Sequence, residues 1–316
     1  MPHGTRKKTG IALCVCGLLP LIAGATENLP RIPFAESSRL PELNQLVVVP
    51  WYYYTVFRKL WIGSTETSIE VLPQEDFELN DGMVRFDYGL NKDFALDATF
   101  GYTSAATRIL DPQRRPQTTQ GLMDTQLGVR YRILDEGETK RWYEPTLTAR
   151  LGAIITGTYD AKFPIAPGDG ASGVEASLMM TKTFEPSGLG VYGEFGYRLR
   201  DHRVPHTIFG TGGLSETIKM NWAIDSLTIY AGYRGLADLN GSNLTGTRVS
   251  GTPSDYIDIG YSPTAKEMYQ MGEVGLAMTD RQGRRYFFSC GTPFDGRNTG
   301  KVNNFIIGLE WPLEIR

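Results

Sequence analysis

The chain has 316 residues, of which 41% are hydrophobic and 11% aromatic, so it has too much apolar surface to remain disordered. Its 36 Gly and 16 Tyr against three His favour strands and turns, and they make a metal-rich soluble enzyme a poor fit. The formal net charge is −3 and falls to −6 without the first 25 residues, which carry three of the 32 basic residues and none of the 35 acidic ones. No nucleic-acid partner is therefore expected.

Residues 1–25 have the three parts of a secretory signal peptide. Basic residues at positions 6–8 precede an apolar run over residues 11–21, and residues 23–25 (Ala-Gly-Ala) supply the small side chains of a cleavage site. The alternative, a buried N-terminal helix, fits the charged flank less well, and the run is too short to span a bilayer. We expect export and cleavage after residue 25, which leaves Cys290 as the single cysteine and no internal disulfide.

The next segment, residues 26–50, contains four prolines and little periodicity, and we interpret it as a periplasmic N-terminal segment. From residue 51 onward apolar and polar residues alternate, which is the period of β-strands. The alternation predicts twelve strands, over residues 51–62, 82–89, 94–103, 121–133, 143–159, 173–184, 189–200, 213–223, 227–236, 268–279, 285–290 and 302–312.

The two faces of these strands differ in polarity, most clearly over residues 143–159. Leu151 and Ile155 share an apolar face there, whereas Thr148 and Arg150 share a polar one. A secreted two-sheet sandwich would alternate in the same way, with the aromatic residues in its core. Alternation alone therefore leaves a sandwich and a barrel open.

The lengths of the connections favour the barrel. Connections after odd-numbered strands run 19, 17, 13, 12, 31 and 11 residues, and those after even-numbered strands run 4, 9, 4, 3 and 5. Such alternation, with an even number of strands, is typical of outer-membrane barrels. We predict an all-β, antiparallel up-and-down transmembrane β-barrel of about 12 strands over residues 51–316. Its short turns and both termini would be periplasmic and its long loops extracellular, the longest being residues 237–267.

Two short segments resemble a known family. Residues 121–132, Gly-Leu-Met-Asp-Thr-Gln-Leu-Gly-Val-Arg-Tyr-Arg, are similar to the Gly-x-x-Asp-x-x-Leu-Gly-x-x-Tyr-Arg strand of the outer-membrane transporters grouped as the "MetA-pathway of phenol degradation" family. Residues 88–93, Tyr-Gly-Leu-Asn-Lys-Asp, resemble that family's hairpin turn. By pattern the similarity covers roughly residues 80–240. The resemblance implies an outer-membrane β-barrel that moves small, often aromatic or hydrophobic, compounds.

The sequence has no motif that is typical of a catalytic or cofactor site, and we predict no enzyme, no catalytic residues and no cofactor. Residues 188–193 match Gly-x-Gly-x-x-Gly but open a strand with no helix after it, so they do not predict nucleotide binding. His202 and His206 share one loop, where exposed histidines are commoner than a metal pair. An outer-membrane phospholipase would need a Ser, His and Asn set, and neither His has a Ser two residues away.

The polar faces place many charged side chains inside the predicted barrel. The candidates for lining the lumen are Asp87, Asp97, Asp124, Arg130, Arg132, Glu144, Arg150, Glu175, Glu194, Arg198, Arg200, Arg234, Glu273 and Arg285. Their signs nearly balance, so opposite charges on adjoining strands can pair across the wall. Two interpretations stay open: a purely structural lattice of salt bridges, and a narrow hydrated path whose width these groups set.

The sequence therefore predicts a passive outer-membrane channel or transporter for small solutes, in a bacterium of Gram-negative type. Outer-membrane lipid, a small-molecule solute and the barrel assembly machinery are the expected partners. The alternative is a barrel that transports nothing and serves as a structural or surface-recognition protein, with residues 237–267 as its contact surface.

Overall fold

The computed structural model describes residues 38–68, 77–107, 117–138, 142–161, 166, 168, 170–201, 204–220, 224–241, 245–249, 256–260 and 265–315. The predicted signal peptide and His202 lie outside these residues. The described part of the chain has no helix that is long and apolar enough to cross a membrane.

The described residues form sixteen strands. These are β1 (Gln45–Ile62), β2 (Thr65–Ser68), β3 (Phe77–Gly89), β4 (Phe94–Thr107), β5 (Gln117–Leu122), β6 (Thr125–Leu134), β7 (Thr146–Ile155), β8 (Gly173–Phe184), β9 (Leu189–Arg200), β10 (Thr207–Lys219), β11 (Ile224–Asp238), β12 (Thr245–Val249), β13 (Tyr256–Gly260), β14 (Met268–Asp280), β15 (Arg285–Arg297) and β16 (Gly300–Glu314).

Twelve of these strands form a closed antiparallel barrel. The order around the ring is β1, β3, β4, β6, β7, β8, β9, β10, β11, β14, β15, β16, and β16 pairs with β1 to close it. Strand β5 pairs with β4 and continues the position of β6 beyond a break at Met123 and Asp124. Strand β2 pairs only with the end of β1, and β12 and β13 form a separate hairpin. The predicted fold class, an antiparallel barrel of twelve strands, is confirmed.

Strands β8 and β9 begin and end where the sequence predicts, but other bounds differ. Strand β1 begins at Gln45 instead of residue 51, and β10 begins at Thr207 instead of residue 213. Strand β15 runs to Arg297 instead of residue 290, which leaves only residues 298–299 before β16, so the predicted 11-residue loop is wrong. The extensions of β10 and β15 are rich in Gly and Thr, and the extension of β1 is apolar on both faces, so none of them shows a clear alternation. Neighbouring strands supply their backbone hydrogen bonds whatever the side-chain pattern.

The outer face of the barrel is apolar. On β7 Leu151 is 66% exposed, whereas Thr148 is fully buried on the opposite, inner face. Exposed large apolar residues occur on strands all around the ring, among them Leu96, Phe100, Leu127, Val174, Phe195, Leu214, Ile229, Val274, Phe288 and Ile307. In a closed barrel this outer band is the surface that suits a bilayer, and the backbone groups within it are paired.

The two ends of the barrel differ. One, here called the short-turn end, holds Gln45 and Glu314, the first and last residues of the wall, and the connections 90–93, 185–188 and 281–284. Side chains close these turns: the Asn91 carboxamide oxygen accepts hydrogen bonds from the Asp93 and Phe94 amides at 2.8 and 2.9 Å. The other, here called the long-loop end, is where β7 ends at Ile155 and β11 ends at Asp238.

At the long-loop end β2 ties the extension of β1 to β16. The Glu66 carboxylate accepts hydrogen bonds from Lys301 Nζ at 2.8 Å and Lys59 Nζ at 2.6 Å. These two bonds lower the pKa of Glu66 below its usual value. The mouth of the barrel is thus braced by charges above the outer apolar band.

Candidate functional site inside the barrel

The inner face of strands β3 to β9 carries a continuous set of ion pairs, here called the ion-pair ladder. Its members are Arg85, Asp87, Asp97, Arg130, Arg150, Glu175 and Arg198. At its centre, Arg150 Nε and Nη2 donate to Asp97 Oδ1 at 2.9 and 2.6 Å, and Arg150 Nη1 donates to Glu175. Glu175 Oε2 also accepts from Arg198 Nε and Nη2, each at 3.1 Å. Such charge-assisted bonds fix both partners in orientation.

The other end of the ladder joins β3 to β6. Asp87 lies 2.9 Å from Arg85 Nε and 2.7 Å from Arg130 Nη2. Asp87 is directly opposite Asp97 in the strand register, and Arg130 is directly opposite Arg150. Like charges that face each other across strands are destabilising. Here each is offset by an opposite charge from another strand, so the ladder is a connected network whose stability depends on both signs.

Two glycines make room for this network. Gly128 and Gly152 face inward and oppose each other on β6 and β7. A Cβ atom at Gly128 would lie 2.5 Å from Asp97 Oδ2 and 2.7 Å from Arg150 Nε. The Arg150 guanidinium can therefore cross β6 to reach Asp97 on β4 only because no side chain projects from Gly128. This glycine belongs to the Leu-Gly-x-x-Tyr-Arg part of the sequence motif, and its role is to leave that space.

A second inner ion pair attaches the loop after β7 to the wall. Arg200 Nη1 donates to Asp124 Oδ2 at 2.9 Å and to the Ala171 carbonyl oxygen at 2.8 Å. Asp124 Oδ1 accepts from the Tyr159 hydroxyl at 2.8 Å and from the Gly157 amide at 2.9 Å. Asp124 thus lies in the break between β5 and β6, where it binds Gly157 and Tyr159 of the loop after β7 and, on β9, Arg200.

The predicted lumen-lining residues fall into two groups. Those less than a tenth exposed are Asp87, Asp97, Asp124, Arg130, Arg150, Glu175, Glu194, Arg198, Arg200, Glu273 and Arg285. The remaining three, Arg132, Glu144 and Arg234, are partly exposed. Arg132 contacts Asp135 and the Lys92 carbonyl oxygen at the short-turn end, whereas Arg234 Nη2 lies 3.0 Å from Glu273 on the far side of the ring. Neither belongs to the ion-pair ladder.

The other part of the inner face is apolar, and the sequence prediction did not identify it. Here called the aromatic wall, it is a cluster of buried side chains: Val47, Val49, Trp51, Tyr53, Met83, Met123, Tyr192, Tyr230, Ala277, Phe287 and Ile306. Strand β1 is apolar on both faces, so alternation does not tell which of its residues point inward. An inner face that is half charged and half aromatic offers a surface for both parts of an amphipathic molecule.

Inward aromatic side chains, three of them in the aromatic wall, lie against glycines one or two strands away. A Cβ atom added at each such glycine would meet a side-chain atom of the aromatic residue at 2.2–2.3 Å: a ring atom of Phe209 at Gly196, of Tyr230 at Gly275 and of Phe287 at Gly308, and the hydroxyl oxygen of Tyr192 at Gly232. Contact this close places each ring against the barrel wall, because the glycine has no side chain to lift it. Inward glycines opposite aromatic residues were therefore the signal from which the aromatic wall could have been predicted.

A segment before β1 reaches across the short-turn end. This N-terminal strap, residues 38–44, ends at β1, yet Ser38 is buried against β7 and β8, four and five strands away around the ring. The Ser38 hydroxyl donates to Thr181 Oγ1 at 2.6 Å, and the Thr148 hydroxyl donates to the Ser38 carbonyl oxygen. Arg39 Nη2 lies 2.8 Å from Glu136 Oε1. The strap therefore crosses the opening of the barrel at this end.

Comparison with solved structures places the fold among outer-membrane barrels. The COG4313 outer membrane channel from Pseudomonas putida F1 is similar over 88% of this chain and 98% of its own, with a TM-score of 0.60 and 12% identity. The β domain of the Bordetella autotransporter BrkA, at 14% identity, covers 84% and 100% with a TM-score of 0.46. The KdgM porin, at 9% identity, covers 84% and 98% with a TM-score of 0.41.

No family model matches the chain, and no curated protein matches it in sequence. The resemblance of residues 121–132 to the "MetA-pathway of phenol degradation" family therefore stays a prediction from short motifs. What the likeness to the Pseudomonas channel establishes is the fold.

Proposed function

We propose that the protein is an outer-membrane channel for small solutes that carry an aromatic or other apolar part. The observation that carries this proposal is the division of the inner face into the ion-pair ladder and the aromatic wall. A uniformly charged bore would favour hydrated ions, and a uniformly apolar one would exclude polar groups. A bore with both surfaces can contact the ring of a solute on one side and its polar group on the other.

The location follows from the outer face and the fold. A closed barrel with an apolar outer band is stable in a bilayer, and barrels of this size occur in outer membranes. The Pseudomonas protein with the same fold is an outer membrane channel, which supports the same role here. Export through a cleaved signal peptide, assembly by the barrel machinery and lipid as the surrounding partner belong to this proposal.

A second function has its own supporting observation. The ladder side chains are closely packed, with Arg150 and Glu175 only 6% and 2% exposed, as a structural brace would be. On that basis the barrel would transport nothing and would serve as a support or a surface-recognition protein. The two functions differ in one measurable property, the passage of solute through the purified protein.

Liposome swelling with a matched pair of solutes tests the proposal. Phenyl glucoside and methyl glucoside share their polar group, and only the first carries an aromatic ring. We expect liposomes that contain the protein to take up both, with a preference for phenyl glucoside beyond what size alone allows. Tyr192→Ala should reduce that preference, whereas Phe195→Ala, on the outer face of the same strand, should leave it unchanged. Uptake no faster than in protein-free liposomes would favour the non-transporting alternative.

A further inference from the structure

One carboxylate on the inner face differs from the others. Asp81 on β3 is 1% exposed, and within the described part of the chain no basic side chain pairs with it; the polar group that interacts with it is the hydroxyl of Thr103, which lies opposite it on β4. The other inner carboxylates that pair with arginine do so at 2.6–3.1 Å; they are Asp87, Asp97, Asp124, Glu175 and Glu273. Asp81 is therefore a buried acid without a counter-charge.

The neighbours of Asp81 belong to the aromatic wall. In the strand register Asp81 is opposite Tyr53, and two residues further along both strands Met83 is opposite Trp51. The four side chains form a two-by-two patch on the inner face, and each is at most 5% exposed. Opposed side chains at such positions have Cβ atoms about 4.5–5.5 Å apart, so all four can contact one small group.

A second polar group of this patch lacks a partner. The Trp51 indole nitrogen is buried and has no hydrogen-bond partner among the described residues. A buried polar group without a partner is unfavourable, and a buried carboxylate without a counter-charge more so. The patch therefore combines a buried carboxylate that lacks a counter-charge with an apolar lining, as a binding site would.

The ligand chemistry follows from these residues. A carboxylate attracts a cation, and the faces of Trp and Tyr stabilise a cation further, whereas Met83 contacts an apolar body. A metal ion fits poorly, because one carboxylate among aromatic rings supplies too few oxygen ligands. We propose that Trp51, Tyr53, Asp81 and Met83 form a subsite for the ammonium group of a small aromatic amine. This subsite rests on the proposed channel function and names one class of solute for it.

Isothermal titration calorimetry on the purified, detergent-solubilised full chain tests the subsite without requiring transport. The probes are phenethylammonium chloride and its neutral counterpart 2-phenylethanol, which share a ring and a chain length. We expect the ammonium to bind at least about tenfold more tightly, as a hydrogen bond to a charged partner would give. Asp81→Asn should remove that difference, whereas Asp93→Asn, in the turn at the short-turn end, should preserve it.

The outcomes separate the subsite from the channel. Equal affinity of the two probes for the unaltered protein overturns the subsite, and that comparison needs no variant that might fail to fold. An ammonium preference that survives in Asp81→Asn, with an unchanged circular dichroism spectrum, also overturns it. If swelling shows passage of phenyl glucoside while calorimetry shows no ammonium preference, the channel stands and the subsite fails. If calorimetry shows the preference but no solute passes, the channel fails and the site remains as a binding site.

Discussion

Arg150 on β7 binds Asp97 on β4 across the intervening strand β6, and the inward position beneath that contact is Gly128. Arg150 Nη2 lies 2.6 Å from Asp97 Oδ1. A side chain at Gly128 would occupy the space through which the guanidinium passes. This relationship links a single glycine of the sequence motif to the integrity of the whole charged wall.

Gly128→Val should therefore destabilise the barrel. The added carbons would displace Arg150 from Asp97, and overpacking of this kind costs about 1–3 kcal/mol. The melting temperature by circular dichroism in detergent is the measurement. Gly82→Val is the matched control, because a Cβ atom at Gly82 has nothing within 4 Å. Equal melting temperatures for the two variants would contradict the role given to Gly128.

The outer face gives a second prediction, which depends on depth in the bilayer. Leu151→Arg should cost about 2–4 kcal/mol if Leu151 lies near the middle of the membrane, since arginine on the lipid face is least stable there. Leu90→Arg should cost much less, because Leu90 lies in the turn between β3 and β4. Unfolding in lipid vesicles with denaturant measures both. A larger loss of stability for Leu90→Arg than for Leu151→Arg would contradict the assigned position of the apolar band.

Much of the wall was predictable from the sequence, because lipid on one side and charge on the other impose a period of two. That period located β8 and β9 to the residue and put Leu151 and Thr148 on the correct faces. It did not locate the start of β1, where both faces are apolar, or the end of β15, where Gly, Thr and Pro interrupt the pattern. It also did not reveal the aromatic wall, because Tyr192 and Tyr230 lie on strand faces whose other side chains are mostly polar. The contacts between distant strands, such as Arg150 with Asp97, depend on barrel closure, which no local pattern encodes.

The N-terminal strap gives a third prediction. If it narrows the opening at the short-turn end, loosening it should raise single-channel conductance. Arg39→Ala removes the 2.8 Å contact with Glu136, and Glu136→Gln weakens the same contact from the other side. The double variant should raise conductance by less than the sum of the two single effects, because both variants disrupt the Arg39–Glu136 pair. The effects need not coincide, since Arg39 also donates to Thr183 Oγ1 and Glu136 Oε2 lies 3.4 Å from Lys182 Nζ. Arg281→Ala, an exposed residue in another turn at this end, is the control. Unchanged conductance in all variants would mean that the strap does not limit passage.

The last prediction separates the two interpretations of the ion-pair ladder. Replacing Arg130 and Arg150 together with Ala removes two positive charges and two long side chains from the inner face. If these groups line the path of the solute, conductance should rise and selectivity should move toward cations, because fixed charge and width set what passes. If they only brace the wall, Asp87, Asp97 and Glu175 lose buried partners, and breaking such pairs costs about 3–5 kcal/mol each without altering permeation.

Reversal potential and melting temperature, measured on one preparation of the Arg130 and Arg150 double variant, distinguish the two interpretations. Glu138→Ala, which removes an exposed charge at the short-turn end, controls for a general change of surface charge. A lower melting temperature with an unchanged reversal potential would assign the ladder to structure, and the path of the solute would then follow the aromatic wall alone.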